Sequence, residues 1–329
     1  MSIIRYRKIF FVISGLLLVL SMSAMFIYGF NTSIDFNGGT LTEVTFADRP
    51  VQTEVESKIS ALNLGGFSIR PSGNSNYAIR TRELTAEERL ALITAIGNPT
   101  VERQNTIGPI AGAELQSKAV KAVIVVILMI VLFITFAFRK VSQTNLPQGT
   151  RGVSSWKYGL ATIVALVHDV IIPTGVFVVL GHFLGVEIDL LFVTGLLAIL
   201  GYSVHDTIVV FDRVRENLRI NQETNTDEDF EALVGKSVTQ TIGRSINTSL
   251  TIFITLLVLY LVGSTATKDF AFLLIIGVIA GTYSSIFVAS PLLVTFYKLQ
   301  RKNEAVRVVL ETEKGPILRG NLKNLAKKL

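Results

Sequence analysis

The sequence predicts an α-helical polytopic membrane protein with six transmembrane helices and one small external α+β domain. Three observations carry that expectation. Half of the 329 residues are hydrophobic and the mean hydropathy is +0.52, outside the range of soluble domains. Six apolar windows, at 9–30, 119–138, 158–180, 188–211, 246–263 and 270–297, are each long enough to cross a bilayer core of about 30 Å. Between the first two windows lies a single long segment, 31–118, patterned like a water-exposed domain.

The first window follows Arg5, Arg7 and Lys8, a layout shared with signal peptides. No small-residue cleavage pattern precedes Asn31-Thr-Ser-Ile, so an uncleaved first helix is expected for 1–30. Within 31–118, Leu41–Phe46 alternates as a strand and Val51–Leu62 has helical spacing. Phe67–Arg70 and Tyr77–Arg82 read as strands joined by the turn Ser72-Gly-Asn-Ser-Asn76. Thr85–Ile96 opens with a capping box, Thr85 followed three residues later by Glu88, and Val101–Ile107 is a last strand. The order βαββαβ predicts a ferredoxin-like sandwich, a domain expected to bind or brace something, since nothing in it looks catalytic.

Residues 119–300 then hold spans two to six, with cytoplasmic loops at 139–157 and 212–245, and 301–329 form a basic tail. Lysine and arginine placement sets this orientation. Three precede the first span, and four, five and nine fall in 139–157, 212–245 and 298–329. The connections 181–187 and 264–269 share only Lys268. Both termini are therefore expected in the cytoplasm and 31–118 outside. The net charge of +6 sits where anionic headgroups of the bilayer lie and needs no nucleic acid to explain it. With no cysteine, disulfides and thiolate metal sites are excluded.

The residues with chemical potential lie inside the spans. Asp206 stands in an apolar window about five residues from its cytoplasmic end, roughly 7–8 Å deep at 1.5 Å per residue. A carboxylate there costs roughly 2.5–3.5 kcal/mol on insertion scales. Tyr202 is one turn before it and His205 beside it. Arg244 begins the next span at a matching depth, with Asn247, Thr248 and Thr251 continuing its face. An Asp206–Arg244 pair that forms and breaks would couple a proton to helix movement. A fixed salt bridge tying two helices would satisfy the same spacing.

His168 and Asp169 sit mid-span with Pro173 one turn later. Helix neighbours point about 100° apart, so the two are not expected to share a partner. Asp169 is a second proton site or a structural contact. Gly277-xxx-Gly281-xxx-Ser285 reads as helix packing, and Glu187 and Asp189 as solvated ends. No Walker-type loop, no serine nucleophile with a partnered histidine, no second histidine at metal spacing and no Gly-x-Gly-Asp acid occur. No enzymatic activity, metal or cofactor is therefore expected, and the proton is the expected coupling ion.

Several motifs occur in order along nearly the whole chain: Ile34-Asp-Phe-Asn-Gly-Gly-Thr40, Ile107-Gly-Pro-Ile-Ala-Gly112, His168-Asp169, Gly201-Tyr-Ser-Val-His-Asp-Thr207 with Asp212-Arg-Val-Arg-Glu-Asn217, Arg244-Ser-Ile-Asn-Thr-Ser249 and Gly281-Thr-Tyr-Ser-Ser285. In these the chain resembles the SecF family, the smaller half of the SecD–SecF accessory complex of the bacterial Sec translocase, within the resistance–nodulation–division superfamily. The resemblance implies use of the proton-motive force to complete export of preproteins across the cytoplasmic membrane. Its implied partners are a SecD-type subunit and the SecYEG channel. It also implies that Asp206 and Arg244 belong to a proton-responsive site; the residues themselves add Asp169 to the expected proton relay, with His168, Tyr202, His205, Asn247 and Thr248 as supporting polar groups. His205 departs from the asparagine usual before the acid, and the loop between Asn217 and Arg244 is longer and more acidic than usual. A small-molecule exporter half of the same superfamily, or a non-conducting scaffold, are the alternatives. The 31–118 segment is small for the former, and the latter would keep Asp206 and Arg244 only for packing.

Overall fold

The computed structural model describes residues 2–73, 75–139, 154–224, 226, 228–263 and 265–301. Most of the 139–157 connection, Asp227 and the tail beyond 301 lie outside the described residues. A short helix α1 (Ser2–Arg5) leads into the first span, α2 (Arg7–Tyr28). After α3 (Ile34–Asn37), a sheet domain runs β1 (Gly39–Thr45), α4 (Gln52–Ser60), β2 (Ser68–Ser72), β3 (Asn76–Thr81), α5 (Ala86–Ala95) and β4 (Thr100–Ile107). The remaining spans are α6 (Pro109–Ala137), α7 (Ser155–Leu184), α8 (Leu190–Thr224), α9 (Phe230–Val262) and α10 (Thr265–Ser284). A π-turn, Ser285–Ala289, interrupts the last span, which continues to Arg301. Six helices among the described residues are thus long and apolar enough to cross a membrane.

Several helices outrun their apolar windows. The 35 residues of α8 reach about 50 Å at 1.5 Å per residue, well beyond a bilayer core. Consequently the amphipathic stretch expected at Phe230–Gly243 is no separate element. It is the first part of α9, and it pairs with the end of α8 as a helical hairpin beyond the apolar windows. Buried Asn217 secures that hairpin by donating to Ser237 Oγ (2.8 Å) and Gln240 Oε1 (2.9 Å). Glu231 at its base accepts from Arg7 (2.7 Å) and pairs with Lys298, tying α2, α9 and the end of the last span together.

The four strands form one antiparallel sheet in the order β2-β3-β1-β4. Alternation along β1 and β3 puts Val44, Tyr77 and Ile79 on one face. There they pack with Val55 and Ile59 of α4 and Leu92 of α5 into a core drawn entirely from Val44–Ile96. Thr85 caps α5 as its spacing predicts, accepting from Glu88 N–H (3.3 Å) while Glu88 accepts from Thr85 N–H (2.9 Å). Gly38, at φ +74°, lies so close to α6 that a Cβ would stand 2.8 Å from Pro109 Cα. A Cβ on Gly112 would stand 2.8 Å from the Phe36 carbonyl. The two glycine motifs flanking the domain therefore meet where the chain leaves and re-enters the membrane.

The other sheet face covers the adjoining ends of the spans, and one sequence expectation fails there. Glu187 is not a solvated end: Arg80 and Arg70 of the sheet both pair with it, Arg70 at 3.6 Å. Asp189 is likewise structural, capping α8 by accepting from Phe192 N–H at 2.8 Å, while Asp35 accepts from Leu190 N–H at 3.0 Å. Asn31 adds bonds to the Gly185 and Val186 carbonyls, so the α7–α8 connection is held from both sides. Linear spacing could not reveal this, because the partners lie over a hundred residues away.

Within the bundle α7, α8 and α10 are central, and α2, α6 and α9 line the outside. Small residues permit the close crossings. A Cβ on Gly175 of α7 would stand 2.6 Å from Ser21 Cα of α2, and one on Gly277 of α10 would stand 2.2 Å from Ile199 of α8. Gly175→Ala should force α2 away from α7 at about 1–3 kcal/mol, as overpacking does elsewhere. Thermal unfolding in detergent should fall accordingly, and an unchanged midpoint would mean that the seam is not closely packed. For the sheet domain, Glu88 is held down at about 2, first by Arg82 and then by the Thr85 N–H. A depressed carboxyl stabilises above its unfolded value near 4.5 and loses that contribution as pH falls toward 2. A 31–118 fragment should fold alone and lose stability over that interval. Circular dichroism melts should show a shallower loss for Glu88→Gln.

Candidate functional site

Two carboxylates are buried in the middle of the bundle, and their surroundings differ. Asp169 of α7 is wholly buried and accepts three hydrogen bonds. His168 Nδ1 lies 2.8 Å from its Oδ1, while Ser203 of α8 and Ser284 of α10 (2.6 Å) both donate to Oδ2. A bond between the two neighbours themselves is not among the sequence expectations. Both side chains fold back over the same groove, and the imidazole reaches the carboxylate of the next residue. Pro173 lacks the N–H that would bond the Asp169 carbonyl, as its position one turn on implied.

This node is the meeting point of three helices. Gly281 brings α10 so close to α8 that a Cβ would stand 3.0 Å from Ser203 Cβ. One turn on, Ser285 and Thr207 hydroxyls bond at 2.8 Å, and Ser285 also donates to the Ser203 carbonyl at 3.3 Å. Consecutive serines of α10 thus both turn inward, where the helix widens into its π-turn. Such a widening is recurrent at functional positions in helices. Pro291 follows it, and Ser290 donates to the Ser285 carbonyl at 3.0 Å.

Asp206 sits three residues beyond Ser203 on α8. It is buried, its Oδ1 accepts from Ser245 Oγ of α9 at 2.6 Å, and its Oδ2 has no partner. The anticipated ion pair with Arg244 is not formed in this structure. Arg244 is close enough to act electrostatically on Asp206, yet its side chain is exposed on the outer face of α9. The two neighbours point apart by about 100°, so the helix turn that aims Ser245 at Asp206 aims Arg244 elsewhere. His205, Asn247 and Thr248 are exposed as well, and Tyr202 bonds Ser249 at 2.5 Å, which in turn meets Thr282 at 2.6 Å. The sequence-predicted residues therefore divide into His168 and Asp169 inside, Asp206 and Tyr202 between α8 and α9, and a polar outer edge.

Sequence reasoning missed Ser203, Ser245, Tyr283 and Ser284. Hydroxyls in apolar helices commonly bond their own backbone, so only Ser203, one turn before Asp206, carried a local signal, and the other three are far in sequence from the acids they serve. Among the described residues no group of three or more acidic or imidazole side chains could hold a metal. Ser203→Ala should leave Asp169 short of a donor in a dry interior and destabilise by about 1–3 kcal/mol. Comparing unfolding midpoints with Ser203→Thr, which keeps the hydroxyl, tests this, since both variants should differ only if the bond matters.

The family described as "Protein export membrane protein SecD/SecF, C-terminal" matches residues 153–299, the segment holding both acids. The protein translocase subunit SecF of Thermobaculum terrenum is 37% identical, covering 95% of this chain and 98% of its own. That of Anaerolinea thermophila is 34% identical, covering 92% and 96%. The crystal structure of SecDF from Thermus thermophilus, described as a translocon-associated membrane protein, aligns with a TM-score of 0.75 at 33% identity over 91% of this chain. A SecDF structure in a super-membrane-facing form aligns with a TM-score of 0.62 at 31% identity over 93%. This chain spans about two-fifths of either SecDF chain, 39% and 40%. With near full-length relatives above 30% identity and a matching six-helix architecture, the chain belongs to the SecF family of protein translocase subunits, multi-pass proteins of the membrane.

Proposed function

We propose that the chain acts with a SecD-type partner to couple the proton-motive force to completion of preprotein export through the SecYEG channel. In this reading it lies in the bacterial cytoplasmic membrane, both termini inside, and carries 31–118 outside as a ferredoxin-like domain. It is no enzyme and uses no cofactor beyond the proton. The observation that carries the reading is Asp206, a buried acid in a membrane span with one oxygen bonded by Ser245 and the other unpartnered. A carboxylate kept only for packing would have both of its oxygens bonded.

The outer edge of α9 supports a membrane-embedded partner. Arg244, Asn247 and Thr248 are exposed in a span where lipid tails would leave their polar groups unbonded. A neighbouring helix with polar groups of its own would cover them. The SecDF chains contain more than twice the length matched here, leaving room for that partner half. The lysine and arginine distribution supports the orientation.

Export into membrane vesicles, with and without a proton gradient, tests the proposal. Asp206→Asn keeps the shape and the Ser245 contact but cannot titrate. Export by this variant should drop to the level seen without a gradient, while co-purification with the partner persists. Arg244→Lys should also lose most of the gradient-driven component, because a compact ammonium does not replace a rigid planar fork. Unchanged gradient-driven export by Asp206→Asn would leave the chain a scaffold.

A further inference from the structure

We propose that His168 and Asp169 form a second proton-binding station, which loads and releases its proton at Nε2 of His168. The assignment follows from the bonding. With Asp169 ionised, the hydroxyls of Ser203 and Ser284 donate to its Oδ2, and Ser284 Oγ also lies 3.1 Å from the Gly281 carbonyl. The remaining contact, Oδ1 to Nδ1 at 2.8 Å, holds one proton whichever atom carries it. With the carboxylate ionised, Nε2 is the atom of the dyad left to gain or lose one. That atom is buried without a hydrogen-bond partner, in a residue only 1% exposed. A merely structural contact would not need an imidazole whose second nitrogen is left unbonded in a dry interior.

The neighbours of the dyad leave this role open. The imidazole stacks on Tyr283 of α10 with centroids 5.9 Å apart. The Tyr283 hydroxyl donates to the Phe10 carbonyl of α2 at 3.1 Å and lies 3.4 Å from Ser14 Oγ. From α8 the dyad receives Ser203, and from α10 Ser284. Asp169 and Tyr283 are thus the titratable groups against His168, and among the described residues no lysine or arginine bonds to the dyad. The proton balance is simple. A hydronium ion gives one proton to the Nε2 lone pair and becomes water, and release reverses the step with no other bond changed.

The two stations lie on different sides of α8. The dyad engages α8 through Ser203 and faces α2 and α10, whereas Asp206, three residues and about 4.5 Å of rise further on, faces α9. Any movement of α8 against its neighbours alters both, through Ser203 on one side and Ser245 on the other. The purpose of the station rests on the proton-coupled reading above, but its proton chemistry can be measured without export.

The chain contains three histidines, at 168, 182 and 205, so nitrogen-15 histidine labelling of the complex with its SecD-type partner in lipid nanodiscs gives three resolvable side chains. His168→Gln identifies the signals of residue 168. The expected result is a neutral form protonated at Nδ1, with Nε2 gaining a proton on acidification, and loss of the Nδ1 preference in Asp169→Asn. A neutral form protonated at Nε2, or no proton uptake at residue 168, would overturn the proposal in the unaltered protein. In vesicles, His168→Gln should cut gradient-driven export at least tenfold. Wild-type export by His168→Gln, with Asp206→Asn inactive, sinks the second station and leaves the proton-coupled reading standing. Wild-type export by both sinks that reading too.

Discussion

The carboxylate of Asp169 is the constraint around which the bundle is arranged. A charge or an unsatisfied oxygen in the middle of a membrane is costly, and this one is satisfied only if α7, α8 and α10 approach closely enough to deliver His168, Ser203 and Ser284. Close approach in turn requires small residues. Gly277 and Gly281 admit Ile199 and Ser203, and Gly175 admits Ser21. Polar satisfaction and helix packing are therefore one requirement, and the three helices richest in buried residues are those that meet at the node.

Against that saturated node, Asp206 stands out by its incompleteness. It has one donor where Asp169 has three, and its cationic neighbour Arg244 turns away to the surface of α9. The bundle thus holds one saturated carboxylate, on α7, and one unsaturated carboxylate, on α8. Helix α8 links them rigidly over three residues. The π-turn after Ser284 adds a place where the last span departs from regular bonding beside the node.

The outward faces tell a complementary story. Apolar side chains cover α2 and α6, as lipid contact requires, while α9 exposes Arg244, Asn247 and Thr248 within its apolar run. The sheet is not tethered loosely to the spans. Glu187 is gripped by Arg70 and Arg80, and Gly38 and Gly112 lock the domain against the start of α6. The domain and the spans are thereby mechanically joined, so that displacement of either is felt by the other.

By itself the sequence determined what depends on local period and composition. Six apolar windows, the alternation of Leu41–Phe46 and Tyr77–Arg82, the Thr85–Glu88 capping box and the small-residue stripe at Gly277 and Gly281 all reappear as elements near their expected places. The candidate acids were legible too, because an aspartate in a long apolar run is conspicuous whatever surrounds it. What tertiary structure alone decided was who faces whom. Helical phase of a single residue sends Ser245 rather than Arg244 to Asp206, and rotamer choice lets His168 bond its own neighbour. Hydroxyls such as Ser203 and Ser284 look like backbone-bonded residues until a second helix brings an acid within reach. Glu187 resembles a solvated end until the sheet folds over it. Apart from the His168–Asp169 bond, these outcomes depend on contacts tens of residues or just over a hundred apart, for which a linear pattern carries no signal.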